Sequence, residues 1–195
     1  MKLILASNNK NKLREIQEML SPIGYEVISQ SQAGIEIEAE ENGSTFEENA
    51  AIKADAIYGM THTAVIADDS GLEVDALGGA PGIYSARYAP KGQGKKTLLA
   101  NLEGVPDDKR TARFVCVICF ISPDGEKHYF RGECEGKIGY ECIGENGFGY
   151  DPIFMYGDRS FAQLSPEEKN AVSHRSMAII KLREYLEAAD KGGNA

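Results

Sequence analysis

The stretch TAVIADDSGLEVDALGGAPGIYSARYA, residues 63–89, joins a short apolar run to two adjacent aspartates. The run Ala64–Ala67 has the composition of a buried strand, and Asp68 and Asp69 follow it directly. Open α/β sheets bind their ligands at the carboxyl ends of their strands. The sequence therefore predicts that the strand ends at the aspartate pair and that a ligand site lies there.

The two aspartates are expected to have different roles. Neighbouring side chains of an extended chain point in opposite directions, so only one carboxylate is expected to face the site. The other is expected to accept hydrogen bonds from N–H groups of the following loop. Ser70 and Gly71, the next two residues, permit the tight turn that such a loop requires.

A second acidic pair, Glu40 and Glu41, precedes a segment with helical features. That segment carries Asn49 and Lys53, whose spacing of four residues places them on one polar face of a helix. Hard oxygen ligands without a cysteine or histidine cage suit Mg²⁺, which completes its coordination with water and substrate phosphate. Solvated loop charge is the alternative, and it is favoured for Glu40 and Glu41 taken alone.

Strands and helices alternate along the chain. Apolar runs predict strands at 2–6, 110–122 and 126–139, and the turn SPDG makes the last two a hairpin. Apolar residues at helical spacing predict helices at 7–20, 44–60, 95–102, 165–171 and 173–189, several of them preceded by capping residues. The acidic segment 34–43 is predicted to be a loop. The last helix has an apolar stripe of Ile179, Leu182, Leu186 and Ala189, and this order of elements indicates a mixed α/β fold.

The size and composition of the chain suit one soluble domain over residues 1–195, with a tail that frays from about residue 190. No apolar run reaches the roughly 18 residues of a membrane span. The apolar run at the N-terminus has too few residues for the core of a signal peptide. A cytoplasmic protein is therefore expected. The net charge of −9 argues against nucleic acid as the main partner.

The four cysteines, Cys116, Cys119, Cys134 and Cys142, are predicted to be buried free thiols. Cys116 and Cys119 lie in one predicted strand, where residues three apart point to opposite faces and cannot share a metal ion. This geometry argues against a zinc site.

Two predicted helices begin with cations, although a helix N-terminus carries a partial positive charge. The helix after the first strand has Lys10, Lys12 and Arg14 near its start, and the last helix has His174 and Arg175. A bound anion would offset the repulsion, because backbone N–H groups and cations would all face it. Cations that point into solvent are the alternative.

The segment GENGFGYDPIF places Phe148 between Gly147 and Gly149. Glycines let a ligand approach the backbone closely, and an exposed aromatic ring can stack on a base. A turn with a core phenylalanine explains the segment equally well.

Five motifs resemble, in order, those of the inosine/xanthosine triphosphate pyrophosphatases, hydrolases of non-standard purine nucleotides: SNNKNK, STFEENAAIKA, ADDSGLEVDALGGAPGIYSARYA, GFGYDPIF and EEKNAVSHR. The resemblance runs from residue 3 to about residue 186. It implies an elongated mixed β-sheet flanked by helices, two lobes with a central substrate cleft, and a homodimer. It also implies hydrolysis of ITP, dITP and XTP to the monophosphate and pyrophosphate with Mg²⁺, or with Mn²⁺ in its place.

The resemblance implies the site residues by position. Asp69 matches the proton acceptor, and Glu41 and Asp69 match the metal ligands. The positions that match substrate contacts are Ser7, Asn8, Asn9, Lys10, Asn11, Lys12, Lys53, Ser70, Phe148, Gly149, Tyr150, Asp151, Lys169, His174 and Arg175. Both helices that begin with cations therefore carry expected substrate contacts.

Two other functions are weighed against this one. A related pyrophosphatase acting on dTTP, UTP or modified pyrimidines is disfavoured by the GFGYDP and SHR motifs, and a non-catalytic nucleotide sensor would lack Asp69 or Glu41. For base selectivity, the Arg175 guanidinium is the candidate donor to the 6-keto oxygen of inosine and xanthosine. A site that donates to this oxygen leaves adenine mispaired.

Overall fold

The computed structural model describes residues 1–192, which form eight strands and five α-helices. The strands are β1 (Lys2–Leu5), β2 (Glu26–Ser29), β3 (Val65–Val74), β4 (Pro81–Gly82), β5 (Thr111–Ile121), β6 (Lys127–Ile138), β7 (Phe154–Tyr156) and β8 (Arg159–Ser160). The helices are α1 (Lys10–Leu20), α2 (Phe46–Thr61), α3 (Gly94–Asn101), α4 (Pro166–Val172) and α5 (His174–Gly192). The mixed α/β class predicted from the sequence is confirmed.

All eight strands belong to one mixed sheet. Its order is β2-β1-β3-β5-β6-β7-β8, with β4 paired to β3 away from that path. β1 is parallel to both β2 and β3, whereas β4 on β3, β7 on β6 and β8 on β7 are antiparallel. The predicted hairpin is present as β5 and β6, whose turn is closed by hydrogen bonds between Ser122 and Glu126.

The chain divides into two compact units. The first contains residues 1–69, 116–132 and the segment from 176, and the second contains residues 70–115 and 133–175. Each unit has its own apolar cluster. The cluster of the first unit includes Leu3, Leu5, Ile16, Leu20, Ile66, Ile179 and Leu182. The cluster of the second unit includes Leu72, Leu98, Leu102, Phe114, Ile138, Phe154 and Phe161.

The helices begin and bury their faces largely as predicted. Asn9, Thr45 and Ser165 are the N-caps of α1, α2 and α4, and each accepts a hydrogen bond from a first-turn N–H group. The predicted apolar stripe of α2, which consists of Phe46, Ala50, Ala54 and Ile57, is buried. The stripe of α5 is buried except for Ala189, which is exposed. α5 extends to Gly192, and the last three residues of the tail lie outside the described residues.

The prediction that the strand ends at the aspartate pair was wrong, because β3 continues through both aspartates to Val74. Leu72 and Val74 are fully buried in the cluster of the second unit, so the apolar pattern of the strand resumes after the charged residues. Ser70 and Gly71 therefore extend the strand and form no turn. The aspartates lie in the middle of a strand, where their charges require partners.

The cysteines differ in exposure, which corrects the prediction that all four are buried. Cys116, Cys119 and Cys134 are buried, whereas Cys142 is exposed in the segment after β6, outside both apolar clusters. All four are free thiols.

We expect one thiol per native chain to react rapidly with Ellman's reagent at pH 8. Burial raises the pKa of Cys119 to about 12 and that of Cys134 to about 11, and the thiolate is the reactive form. Cys142→Ser should remove the rapid phase, and denaturant should release all remaining thiols. A rapid native phase of more than one thiol would contradict the burial.

Arg110 is a buried cation that stabilises the second unit. It is 2% exposed, and its guanidinium donates to the carbonyl oxygens of Leu102, Ile138 and Gly139 at 2.7–2.8 Å. We expect Arg110→Ala to lower the free energy of unfolding by about 3 kcal/mol or more, because three carbonyls lose a charged donor. Urea unfolding measures the change. Lys109→Ala, at the neighbouring exposed cation, should change stability by less than about 0.5 kcal/mol, and similar losses in both variants would contradict this assignment.

Candidate active site

The loop after β1 uses its polar side chains to build the start of α1. Asn9 Oδ1 accepts hydrogen bonds from the backbone N–H groups of Asn11 at 2.9 Å and Lys12 at 3.3 Å. Ser7 Oγ accepts from the N–H group of Asn9 at 3.1 Å. The first turn of α1 contains no acidic residue, so the asparagine cap satisfies donors that the helix itself leaves unpaired. Lys10 and Asn11 are exposed on this turn.

Lys12 extends from α1 to β3 and forms an ion pair with Asp68. The distance from Lys12 Nζ to Asp68 Oδ2 is 2.9 Å, and the Asp68 side chain is only 1% exposed. As the neighbour of the expected proton acceptor Asp69, Asp68 was expected to accept hydrogen bonds from N–H groups of the following loop. In the folded protein it holds the ammonium group of Lys12 instead.

Lys53 of α2 joins the two predicted metal ligands. Its Nζ lies 2.6 Å from Glu41 Oε1 and 3.1 Å from Asp69 Oδ1. Burial alone lowers the pKa of Lys53, but attraction to Asp69, Asp68 and Glu41 outweighs it, so the pKa lies above its usual value. Burial raises the pKa of Asp69 above the usual carboxyl value, by more than attraction to Lys53 lowers it. The carboxylates of Glu41 and Asp69 thus already share one cation.

This charged cluster suits a divalent cation. Asp68, Asp69 and Glu41 supply three carboxylates against the two ammonium groups of Lys12 and Lys53, so the cluster repels an anion until another cation joins it. Mg²⁺ usually takes one or two protein carboxylates and completes its shell with water and phosphate. Within residues 1–192, no group of three or more His, Cys, Asp and Glu side chains is placed to hold a metal ion. The carboxylates of Glu41 and Asp69, which share one cation, fit a divalent cation that keeps part of its water shell.

A cavity of about 580 Å³ lies in the first unit and is lined in part by these residues. Ser7, Asn8, Glu41 and Lys53 contribute to its wall. Asn8 Oδ1 accepts a hydrogen bond from the N–H group of Ser31 at 3.2 Å, which ties the loop after β1 to the segment after β2. The volume falls in the range of roughly 300–1,000 Å³ that is typical of small-molecule sites.

In the second unit, several of the predicted residues lie around Phe148, which is 43% exposed. Asp151 is buried, and its Oδ2 accepts from the N–H group of Phe148 at 2.7 Å and from Lys169 Nζ at 2.6 Å. Lys169 Nζ lies 4.9 Å from the centre of the Phe148 ring, and the Arg175 guanidinium carbon lies 6.0 Å from it. Asp151 therefore positions the aromatic ring and a cation next to each other.

Gly147 is required for this arrangement. Its φ of +73° is a left-handed conformation, and an added Cβ would lie 2.1 Å from Asp151 Oδ2. A side chain at residue 147 would therefore displace the carboxylate that holds Phe148 and Lys169.

The other predicted residues of this unit are more enclosed. Tyr150 packs in the apolar cluster, and its hydroxyl donates to the carbonyl oxygen of Ser85 at 3.0 Å. His174 is buried and stacks on Phe114 with 4.8 Å between the ring centres. Gly149 has a φ of +59°, and Ser70 lies half-buried within β3. The exposed aromatic face in this set belongs to Phe148.

A family model described as the Ham1 family matches residues 3–185. The chain belongs to the Ham1 family. The family predicted from the five motifs is confirmed by this match and by relatives named dITP/XTP pyrophosphatase. The relative from Desulforamulus reducens is 51% identical over 192 residues, which cover 95% of this chain and 96% of the relative. The relative from Bacillus subtilis is 46% identical over 191 residues, which cover 95% and 96%.

Solved structures resemble this chain over most of its length. The Ham1 protein of Staphylococcus aureus superposes with a TM-score of 0.89 at 44% identity, covering 97% of this chain and 100% of that one. A nucleoside-triphosphatase described as a dITP/XTP pyrophosphatase, from Mycobacterium abscessus, gives a TM-score of 0.78 at 42% identity, covering 93% and 98%. In the described part of this Ham1 chain, no helix has the length and apolar character of a membrane span.

Asn49 is a residue of this Ham1 site that the sequence did not assign. It was expected on the polar face of α2, but it is fully buried and its amide contacts Asp69. The sequence feature that could have identified Asn49 is its position one helical turn before Lys53. Because the partner lies twenty residues further along the chain, this spacing alone could not identify the contact.

Proposed function

We propose that this Ham1 protein hydrolyses ITP, dITP and XTP to the nucleoside monophosphate and pyrophosphate. The observation that carries the proposal is the cluster in which Lys53 bridges Glu41 and Asp69, with Lys12 held by Asp68 nearby in the same unit. Such a cluster can neutralise phosphate charge and accept a proton. The names of the relatives from Desulforamulus reducens and Bacillus subtilis support the substrate class.

Asp69 is the proposed proton acceptor. A water molecule attacks the α-phosphorus, its proton passes to Asp69, and the bond between the α-phosphorus and the bridging oxygen breaks to release pyrophosphate. The position of Asp69, buried within the charged cluster and 3.1 Å from Lys53 Nζ, supports this role. Lys53 keeps the carboxylate oriented before the reaction.

Glu41 and Asp69 are the proposed ligands of Mg²⁺, or of Mn²⁺ in its place. When bound, the ion would supply positive charge to the phosphate oxygens and lower the pKa of the attacking water. The two carboxylates and the net negative charge of the cluster support this assignment.

The phosphate chain is proposed to contact Lys12, Lys53 and the loop Ser7–Lys12. The two ammonium groups would stabilise the charge that develops on the leaving pyrophosphate. The start of α1 would add backbone N–H groups and the positive end of the helix dipole. Lys12 is held near the site by Asp68, so little ordering of its side chain is needed on binding.

The purine is proposed to stack on the exposed ring of Phe148. Lys169 and Arg175 both lie next to this ring, and Arg175 is the proposed donor to the 6-keto oxygen. Adenine carries an amino group at that position and would leave the guanidinium without an acceptor. Sites of this kind can reject such analogues by roughly 10⁴-fold.

We also infer a cytoplasmic homodimer that has no nucleic-acid partner. The family resemblance supports the dimer, and the net charge of −9 supports the lack of nucleic-acid binding. The cytoplasm contains the nucleotide pool on which the proposed reaction acts.

A panel of nucleotides tests the proposal. The purified protein is mixed with ITP, XTP, dITP, ATP, GTP and dTTP, with and without Mg²⁺, and pyrophosphate is quantified separately from orthophosphate. We expect metal-dependent pyrophosphate release from ITP, dITP and XTP, with ATP and GTP nearly inert. A preference for dTTP would favour a pyrimidine enzyme, and tight binding without turnover would favour a sensor.

A further inference from the structure

We propose that Asn49 is a positioning residue that fixes Asp69 and the loop of Glu41 relative to each other. The inference rests on the proposed function, because it assigns Asn49 a role in the catalysis by those two carboxylates. Asn49 lies on α2, one turn before Lys53, and its side chain is fully buried.

The amide of Asn49 connects two parts of the first unit. Its Oδ1 accepts a hydrogen bond from the backbone N–H group of Gly43 at 2.9 Å. Its Nδ2 donates to Asp69 Oδ2 at 3.4 Å, and Asp69 Oδ1 accepts from Lys53. Each oxygen of Asp69 thus has its own donor from α2, which fixes the plane of the carboxylate.

Asparagine is specifically suited to this position. Burying an amide costs free energy unless its polar atoms form hydrogen bonds. If packing alone mattered, an apolar residue at position 49 would be more favourable. Aspartate would keep the acceptor for Gly43 but would place a second negative charge against Asp69. An alanine would remove both contacts and leave Asp69 Oδ2 without the donor from Asn49, so that Lys53 alone of these two donors would orient the carboxylate.

The backbone at Gly43 approaches Asn49 closely. A Cβ added to Gly43 would lie 2.8 Å from Asn49 Oδ1 and 2.7 Å from Glu48 Cβ, closer than side chains normally pack. The segment is therefore pressed against the first turn of α2, only two residues after Glu41. This contact, together with the ion pair from Lys53, sets where the Glu41 carboxylate lies.

The roles of Asn49 and of the helix cap can be separated. Thr45 Oγ1 accepts a hydrogen bond from the N–H group of Glu48 and caps α2. This hydrogen bond involves neither Asp69 nor Gly43. A variant that weakens only the helix start should therefore differ from one that disturbs the carboxylates. Thr45→Ala is the matched control.

The test compares wild type, Asn49→Asp, Asn49→Ala, Gly43→Ala and Thr45→Ala. For each protein, kcat and KM for ITP are measured together with the affinity for MnCl₂ by electron paramagnetic resonance without nucleotide. We expect the Asn49 and Gly43 variants to lose about 10–100-fold in kcat or in Mn²⁺ affinity, as outer contacts of a metal site typically do, with a smaller change in KM. Thr45→Ala should lose stability but keep both quantities.

The outcomes separate this inference from the proposed function. If wild type releases no pyrophosphate from ITP, the proposed function fails, and the Mn²⁺ affinities still compare the variants. If wild type is active and the folded Asn49 and Gly43 variants keep kcat and Mn²⁺ affinity within twofold, the positioning role is overturned. A loss in Thr45→Ala equal to that in Asn49→Ala would also overturn it, since it would show that helix stability alone is responsible. Gly43→Ala disturbs the contact between Gly43 and Asn49 from the side of the loop. If the Asn49 variants fail to fold, the kcat and Mn²⁺ affinity of Gly43→Ala test the positioning role.

Discussion

Asp69→Asn is expected to abolish most ITP hydrolysis while leaving the fold intact. The variant keeps the volume of the side chain and an oxygen for Lys53, but its amide cannot accept the proton of the attacking water. General-base assistance contributes typically about 10²–10⁴-fold, and loss of a charged metal ligand would add to this. Steady-state kinetics measure kcat, and circular dichroism measures the fold.

The matched control is Asp55→Asn, the same chemical change on the exposed side of α2. Asp55 is exposed and forms an ion pair with Lys127 of β6. We expect its kcat to equal that of wild type. Turnover by Asp69→Asn within threefold of wild type would exclude Asp69 as the proton acceptor.

Arg175→Ala is expected to reduce the preference for ITP over ATP by about 10- to 100-fold. The estimate follows from the loss of a hydrogen bond to a charged donor, worth roughly 1.5–3 kcal/mol. Arg175 is 4% exposed and lies beside the Phe148 ring, where its guanidinium would meet the edge of a stacked purine. The measured quantity is the ratio of kcat/KM for the two nucleotides.

That ratio is robust because both substrates are assayed on the same preparation. Any loss of folded protein on removal of a buried side chain cancels in the ratio. Arg183→Ala is the control, since Arg183 lies on the same helix and pairs with Glu187 near the surface. An unchanged ITP to ATP ratio in Arg175→Ala would place base recognition on another residue.

The sequence predicted local structure well where the signal was local. Capping residues and apolar stripes located α1, α2, α4 and α5, because both features involve residues within one or two helical turns. The end of β3 was misplaced because two charges interrupt its apolar run. Their ion-pair partners, Lys12 and Lys53, lie on helices that are distant in sequence. The local sequence pattern therefore does not show that the strand can continue through two charged residues.

Contacts between residues that are distant in sequence also limited what could be predicted about the candidate site. The motifs contain residues that lie close together in the folded chain, but tertiary contacts decide which members of a motif remain accessible. In the segment Phe148–Asp151, the phenylalanine is exposed, whereas Tyr150 is part of the apolar cluster and Asp151 is buried under Lys169. The role of Asn49 depends on Gly43 and Asp69, which approach it only in the folded chain.

Hydrolysis of ITP in water enriched with ¹⁸O tests the central claim, which is attack at the α-phosphorus, most directly. Mass spectrometry of the products locates the new oxygen. Attack at the α-phosphorus predicts one ¹⁸O in inosine monophosphate and none in pyrophosphate. Label in pyrophosphate would mean attack at the β-phosphorus, and labelled orthophosphate would mean attack at the terminal one. Either result would contradict the proposed placement of Asp69 and the metal ligands.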